Sequence, residues 1–107
     1  MHTNGTLFER LSHDMILDWR LQEIVVSIDG IDARSFERLR VHGNYRQLCE
    51  NLDAFNARRA AWEGPVPLVE VRHVIMPNET PEQLDEFARD WRAGAADTVK
   101  LLPRRAL

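Results

Sequence analysis

The sequence predicts an α/β domain in which parallel strands alternate with helices, in the order β-α-β-α-α-β-α-β. Three observations carry this reading. In Gln22–Gly30, Q-E-I-V-V-S-I-D-G, the apolar residues Ile24, Val25 and Val26 run together before Ser27, Asp29 and Gly30. A continuous β-branched run closed by turn residues reads as a strand covered on both faces, as in parallel sheets. Leu68–Met76 repeats the signal with Val69, Val71, Val74 and Ile75. Between and after these strands lie capped segments whose apolar residues recur at helical spacing. Parallel neighbours joined through helices need right-handed crossovers. Four such strands make either an open sheet or an arc of a barrel, and the pattern alone does not choose between them.

The elements follow in order along the chain. Asn4-Gly5 is a turn signal, and any strand before it has at most three residues, short of the usual ~5–6. That strand is expected to be cut off at its start. Thr6 followed by Glu9 has the capping-box pattern, and Leu7, Phe8, Leu11 and Met15 predict a helix over Leu7–Trp19. After the Gln22–Gly30 strand, Asp32 caps a short helix through Arg40 that turns Phe36 and Leu39 inward. His42-Gly43 breaks it. Asn44 restarts a longer helix to Trp62, with Tyr45, Leu48, Cys49, Leu52 and Phe55 as one apolar stripe. Gly64-Pro65-Val66-Pro67 is a loop before the Leu68–Met76 strand, and Pro77-Asn78 turns the chain after it. Thr80, Pro81 and Gln83 then spell cap, first helical position and capping-box partner, with Leu84, Phe87, Ala88 and Trp91 on the buried face. Gly94 ends this helix, and Asp97–Leu102 is a last strand stopped by Pro103.

Composition bounds the function classes. The 107 residues make one domain, of which 44% are hydrophobic and 29% charged, with a net charge of −3. That balance gives no basic excess for nucleic acid. No run of about 18 apolar residues and no leader pattern is present, so no membrane contact and a cytoplasmic location are the expectation. The single cysteine, Cys49, excludes an intrachain disulfide and any multi-cysteine metal cluster held by this chain alone. On the apolar stripe, Cys49 reads as a small hydrophobe. His2, His13, His42 and His73 lack metal-ligand spacing. Trp19, Trp62 and Trp91 close helices and read as packing over core edges, and Arg104-Arg105 as a frayed basic tail.

Ligands of open parallel sheets sit off the carboxyl ends of the strands. Ser27 and Asp29 stand at such an end, where Gly30 permits a tight turn. This stretch is the centre of any site. Around it, several segments resemble a radical S-adenosylmethionine (SAM) enzyme. They are T-N-G at Thr3–Gly5, S-I-D-G at Ser27–Gly30, R-x-x-G-N-Y-x-x-x-x-x-N-L over Arg40–Leu52, and V-R-H-V-I-M-P-N over Val71–Asn78. The likeness is to members that carry a C-terminal SPASM domain and act on peptides or natural products. It spans nearly the whole chain, from the third to the sixth strand of that family's partial (β/α)6 TIM-like barrel.

The resemblance implies roles residue by residue. Thr3 and Asn4 end the strand that lines the cofactor pocket. Ser27 resembles the hydroxyl on the ribose or methionine part of SAM. Arg40 resembles the guanidinium that pairs with the SAM carboxylate, for which its bidentate fork is suited. Asp29 and Asn78 stand near the same rim. In the complete family a reduced 4Fe-4S cluster cleaves SAM to a 5′-deoxyadenosyl radical that abstracts a substrate hydrogen. The departure from the pattern is as informative. The C-x-x-x-C-x-x-C loop and the G-G-E-type segment are missing, so the chain resembles the C-terminal half of the core. Two readings follow: a piece of a radical SAM enzyme whose cluster-bearing half lies upstream or on a partner chain, or a stand-alone non-catalytic α/β binding or assembly module. In the first reading nothing in the chain covers the inner sheet face, so an exposed apolar concave face with Val25 or Val26, Val74 or Ile75, and Val99 or Leu101 upon it is expected. Such a face would drive homo-oligomerisation or aggregation. A chain that closes its own core would favour the second reading.

Overall fold

A computed structural model describes residues 1–4, 8, 11–28, 30–31 and 45–103. Within them lie β1 (His2–Thr3), α1 (His13–Asp18), β2 (Glu23–Ser27), α2 (Tyr45–Ala61), β3 (Leu68–Val74), α3 (Pro81–Ala93) and β4 (Thr98–Leu102). The four strands form one all-parallel sheet in the sequence order β1-β2-β3-β4. The α/β alternation and the parallel sheet are therefore as the sequence predicts. The Asp32–Arg40 helix and the Thr6–Glu9 capping box lie outside the described residues.

Register sorts the side chains onto two faces. Ile24 stands beside Val69, and Val26 beside Val71, which stands beside Val99. Because side chains alternate along a strand, Ile24, Val26, Ile28, Val69, Val71 and His73 share one face with Val99 and Leu101. Ile16 and Leu17 of α1, Leu48, Leu52 and Phe55 of α2, and Phe87 and Trp91 of α3 join that face in one core. Every described helix thus packs on the same side of the sheet. Phe8 completes this core against Phe55, ring centroids 4.9 Å apart.

The opposite face is not the apolar surface that the sequence reading expects. It carries Glu23, Val25 and Ser27 of β2, Leu68, Glu70, Arg72 and Val74 of β3, and Thr98, Lys100 and Leu102 of β4. Val25 is on this face but fully buried. Val26, Val99 and Leu101 point to the helical side, and Ile75 is half-buried. Exposed apolar side chains are confined to its two ends: Leu68 at the amino end, Val74 and Leu102 at the carboxyl end. The middle is polar. Side chains alternate along each strand, so the apolar residues of one strand divide between the two faces.

Helix α3 matches its expectation in detail. Thr80 accepts from the Gln83 amide at 3.2 Å, the Gln83 side chain accepts from the Thr80 amide at 2.9 Å, and Leu84, Phe87, Ala88 and Trp91 are buried. The predicted continuous helix over Leu7–Trp19 is broken instead. Ser12 is extended (φ −66°, ψ 146°), and its hydroxyl accepts from the Met15 amide at 3.1 Å, starting α1 afresh. A capping serine competes with helical continuation by satisfying an amide that would otherwise need the preceding turn.

Two ion pairs fasten the amino side. Arg59 donates to Asp97 Oδ2 at 2.6 Å, to the Pro67 carbonyl at 3.0 Å and to Asn56 Oδ1 at 2.8 Å. Asp97 Oδ2 also accepts from the Val69 amide at 2.7 Å. The entries to β3 and β4 are thereby clamped to α2. On the surface Arg58 joins α2 to Asp14 of α1 at 2.6 Å, holding the Asp14 carboxyl below its ordinary range.

Candidate functional site

The carboxyl edge of the sheet gathers most of the described sequence candidates. Thr3 ends β1 beside Val26, and Ser27 ends β2 beside Arg72 of β3. Asn4 follows β1 directly, and Asn78 occupies the exposed turn after β3. Thr3 is half-buried, whereas Asn4 and Ser27 are exposed. All four therefore belong to one rim. Asp29 and Arg40 lie outside the described residues.

Beneath the rim a buried histidine ties two strand ends to a loop. His73 Nδ1 lies 2.9 Å from the Ile28 carbonyl, and Nε2 lies 2.8 and 3.0 Å from the two Glu79 oxygens. A carbonyl only accepts, so Nδ1 carries a hydrogen. A second hydrogen lies between Nε2 and the carboxyl group. Glu79 Oε1 also accepts from the Met76 amide at 2.7 Å. The two side chains are 1% and 4% exposed, and the imidazole packs on Phe87 at 5.2 Å. This group is shut off from solvent. Its action is to fix the S-I-D-G stretch and the Met76–Glu79 loop relative to each other.

The sequence reading treated His73 only as a histidine without metal spacing and did not single out Glu79. The available signal was alternation: His73 continues the buried face of Val69 and Val71, where an imidazole needs partners.

The second missed group is on the sheet face opposite the described helices. Arg72 Nε donates to Glu70 Oε2, and the Thr98 hydroxyl donates to Glu70 Oε1 at 3.2 Å. Glu70 is only 8% exposed. Burial alone would push its carboxyl up. The Arg72 hydrogen bond and charge, the Thr98 hydroxyl and the Lys100 charge outweigh that and hold it below its ordinary value. The polar residues at alternate positions of L-V-E-V-R-H-V and T-V-K-L-L carried this in the sequence.

A cleft of about 420 Å³ lies elsewhere, on the helical side, where Glu86, Asp90 and Trp91 of α3 face Ile31 and Tyr45. It shares no residue with the rim.

As to metals, the described residues contain no group of three or more His, Cys, Asp or Glu that could hold an ion. Cys49 is half-buried on α2. Burial pushes its thiol up, with Asp53 and Glu50 adding to that against a Tyr45 hydrogen bond. The described residues therefore do not fit an iron–sulfur cluster. The rim carries hydroxyl and amide side chains at Thr3, Asn4, Ser27 and Asn78. Among the described residues no helix is long and apolar enough to cross a membrane. No known protein family, characterised protein or solved structure matches the chain.

Proposed function

We propose that the chain is the carboxyl-terminal half of a radical SAM-type core, and that its sheet is an arc of a partial (β/α)6 barrel wall binding SAM at the carboxyl rim. One observation supports this most: four parallel strands follow one another in sequence order, with every described helix on one face and a polar opposite face. A barrel wall has this arrangement, because its helices ring the outside and its inward side chains meet ligand. A doubly wound sheet instead reverses strand order and carries helices on both faces.

In this reading Thr3, Asn4, Ser27 and Asn78 contact the polar parts of SAM, Asp29 stands beside them, and Arg40 pairs with the carboxylate. The cluster, held by a C-x-x-x-C-x-x-C segment outside these residues, would supply the chemistry of radical formation. What this chain contributes is the binding, orientation and water exclusion that such chemistry needs. The face opposite the described helices is then covered by the cluster-bearing segment and ligand rather than by a second copy, since a polar surface gives weak drive to self-association.

The test is a titration of the chain with SAM followed by amide chemical shifts. Saturable changes at Thr3, Asn4, Ser27 and Asn78, weakened by Ser27→Ala, are the expected result. Absence of saturable change, or change confined to the Glu86–Trp91 cleft, would overturn the reading and leave the stand-alone module in its place.

A further inference from the structure

The geometry points to a binding site for a carboxylate on the sheet face opposite the described helices, formed by the terminal amino groups of Arg72 and the ammonium of Lys100. Register puts Ser27, Arg72 and Lys100 side by side on three adjacent strands. Neighbouring strands lie about 4.8 Å apart, so the two cations stand within reach of one carboxylate group.

The row behind them holds the guanidinium in place. Glu70 takes the Arg72 Nε hydrogen on one oxygen and the Thr98 hydroxyl on the other. An arginine engaged through Nε still presents its two terminal amino groups as a planar pair, the edge that binds a carboxylate bidentately. Among the described residues those terminal groups and the Lys100 ammonium have no hydrogen-bond partner. Arg72 keeps a side-chain exposure of 29%, and Lys100 is exposed.

The charge count agrees. Glu70 offsets one of the two cations, leaving this row with one positive charge on a chain whose net charge is −3. A chain that is acidic overall thus concentrates positive potential next to Ser27. Two carboxylates could use it: that of SAM itself, which Arg72 and Lys100 would then hold together with Arg40, or that of a second ligand such as a peptide or amino-acid substrate. The inference rests on the reading above only for SAM being one of the two.

The test uses the full chain and follows the Arg72 Nε–H resonance by nitrogen-15 NMR during titration with malonate, against chloride at matched ionic strength. A saturable shift with malonate and none with chloride is expected. Lys100→Gln, at an exposed position, should weaken it about tenfold, the equivalent of one charge-assisted hydrogen bond. Arg72→Gln should abolish binding, read on the Lys100 amide. A linear response, an equal response to chloride, or unchanged affinity in Lys100→Gln would overturn the proposal. SAM is titrated in parallel. If it shifts the Arg72 signal and competes with malonate, the carboxylate is SAM's own. If both bind together, it belongs to a second ligand. If SAM does not bind while malonate does, the site stands and the SAM reading falls.

Discussion

Replacing His73 with leucine tests whether the buried pair organises the carboxyl edge. Leucine removes both ring nitrogens. Glu79, at 4% side-chain exposure, keeps only the Met76 amide, and the Ile28 carbonyl loses its donor. Stranding a buried carboxyl group and a buried carbonyl costs roughly 1–3 kcal/mol each, about 4 kcal/mol together. Leucine against Phe87 returns part of this, roughly 1 kcal/mol of added apolar burial. The net expectation is about 3 kcal/mol, a large share of the roughly 5–15 kcal/mol that stabilises a domain. In urea unfolding followed by tryptophan fluorescence, the midpoint should fall by about 1–3 M for slopes of about 1–3 kcal/mol/M. Glu79→Gln should cost only about 1 kcal/mol, since the amide still accepts from Met76 and can donate to Nε2. The double variant should be less destabilised than His73→Leu alone, because no carboxyl group remains to be stranded. A His73→Leu protein within about 0.5 kcal/mol of the parent, or strictly additive single effects, would refute the pairing argument.

Four further outcomes are expected. Arg59→Met, which strips Asp97 and the Pro67 carbonyl of their shared donor, should cost about 2–3 kcal/mol in chemical unfolding yet leave SAM titration unchanged. Because Glu70 is held below its ordinary value of 4.5, its stabilising contribution is present above pH 4.5 and is lost as pH falls through the lower folded value; acid unfolding curves of Glu70→Gln should be flatter in that window. Arg20, at φ 54° just after α1, should become more favourable as glycine by about 0.5–1 kcal/mol, measured by thermal unfolding. Arg40→Ala should weaken SAM binding by roughly 1.5–3 kcal/mol in calorimetry, the range for a hydrogen bond to a charged group; unchanged binding removes Arg40 from the site.

Much of the fold was legible because local signals agreed with the tertiary result. The α3 signature T-P-x-Q states cap, first turn and reciprocal hydrogen bond within four residues. Ile24, Val25 and Val26 of β2 are all fully buried, so a period-free apolar reading sufficed. Leu7–Trp19 failed for a local reason: the apolar spacing of Leu7, Phe8, Leu11 and Met15 is helical, but Ser12 offers its hydroxyl to Met15 and wins. At the carboxyl rim, the positions of Thr3, Asn4, Ser27 and Asn78 follow from strand ends and turns, whereas their roles rest on the resemblance alone. His73, Glu79, Glu70 and Lys100 were missed because their partners come from separate segments or alternate strand positions.

The face opposite the described helices also separates what holds the domain together from what the site needs. A buried carboxylate with arginine and threonine around it is weak evidence for stability, since an apolar set of similar volume is often neutral or better by about 1–4 kcal/mol. The expected apolar face would have been the simpler choice for a sheet buried against another surface. This sheet instead places Glu70, Arg72, Thr98 and Lys100 across its middle and confines Leu68, Val74 and Leu102 to its ends. At the amino edge the Arg59–Asp97 clamp already joins strands to helix. Fold retention therefore gives no reason for the polar middle. What the polar middle provides is fixed orientation, because Glu70 holds Arg72 through Nε and leaves its terminal groups beside Ser27. Fixed orientation matters for a ligand. Substituting Glu70 and Arg72 together by Leu and Met should accordingly leave urea stability equal or higher while malonate binding is lost, and a double variant that unfolds would show that the pair serves the fold instead.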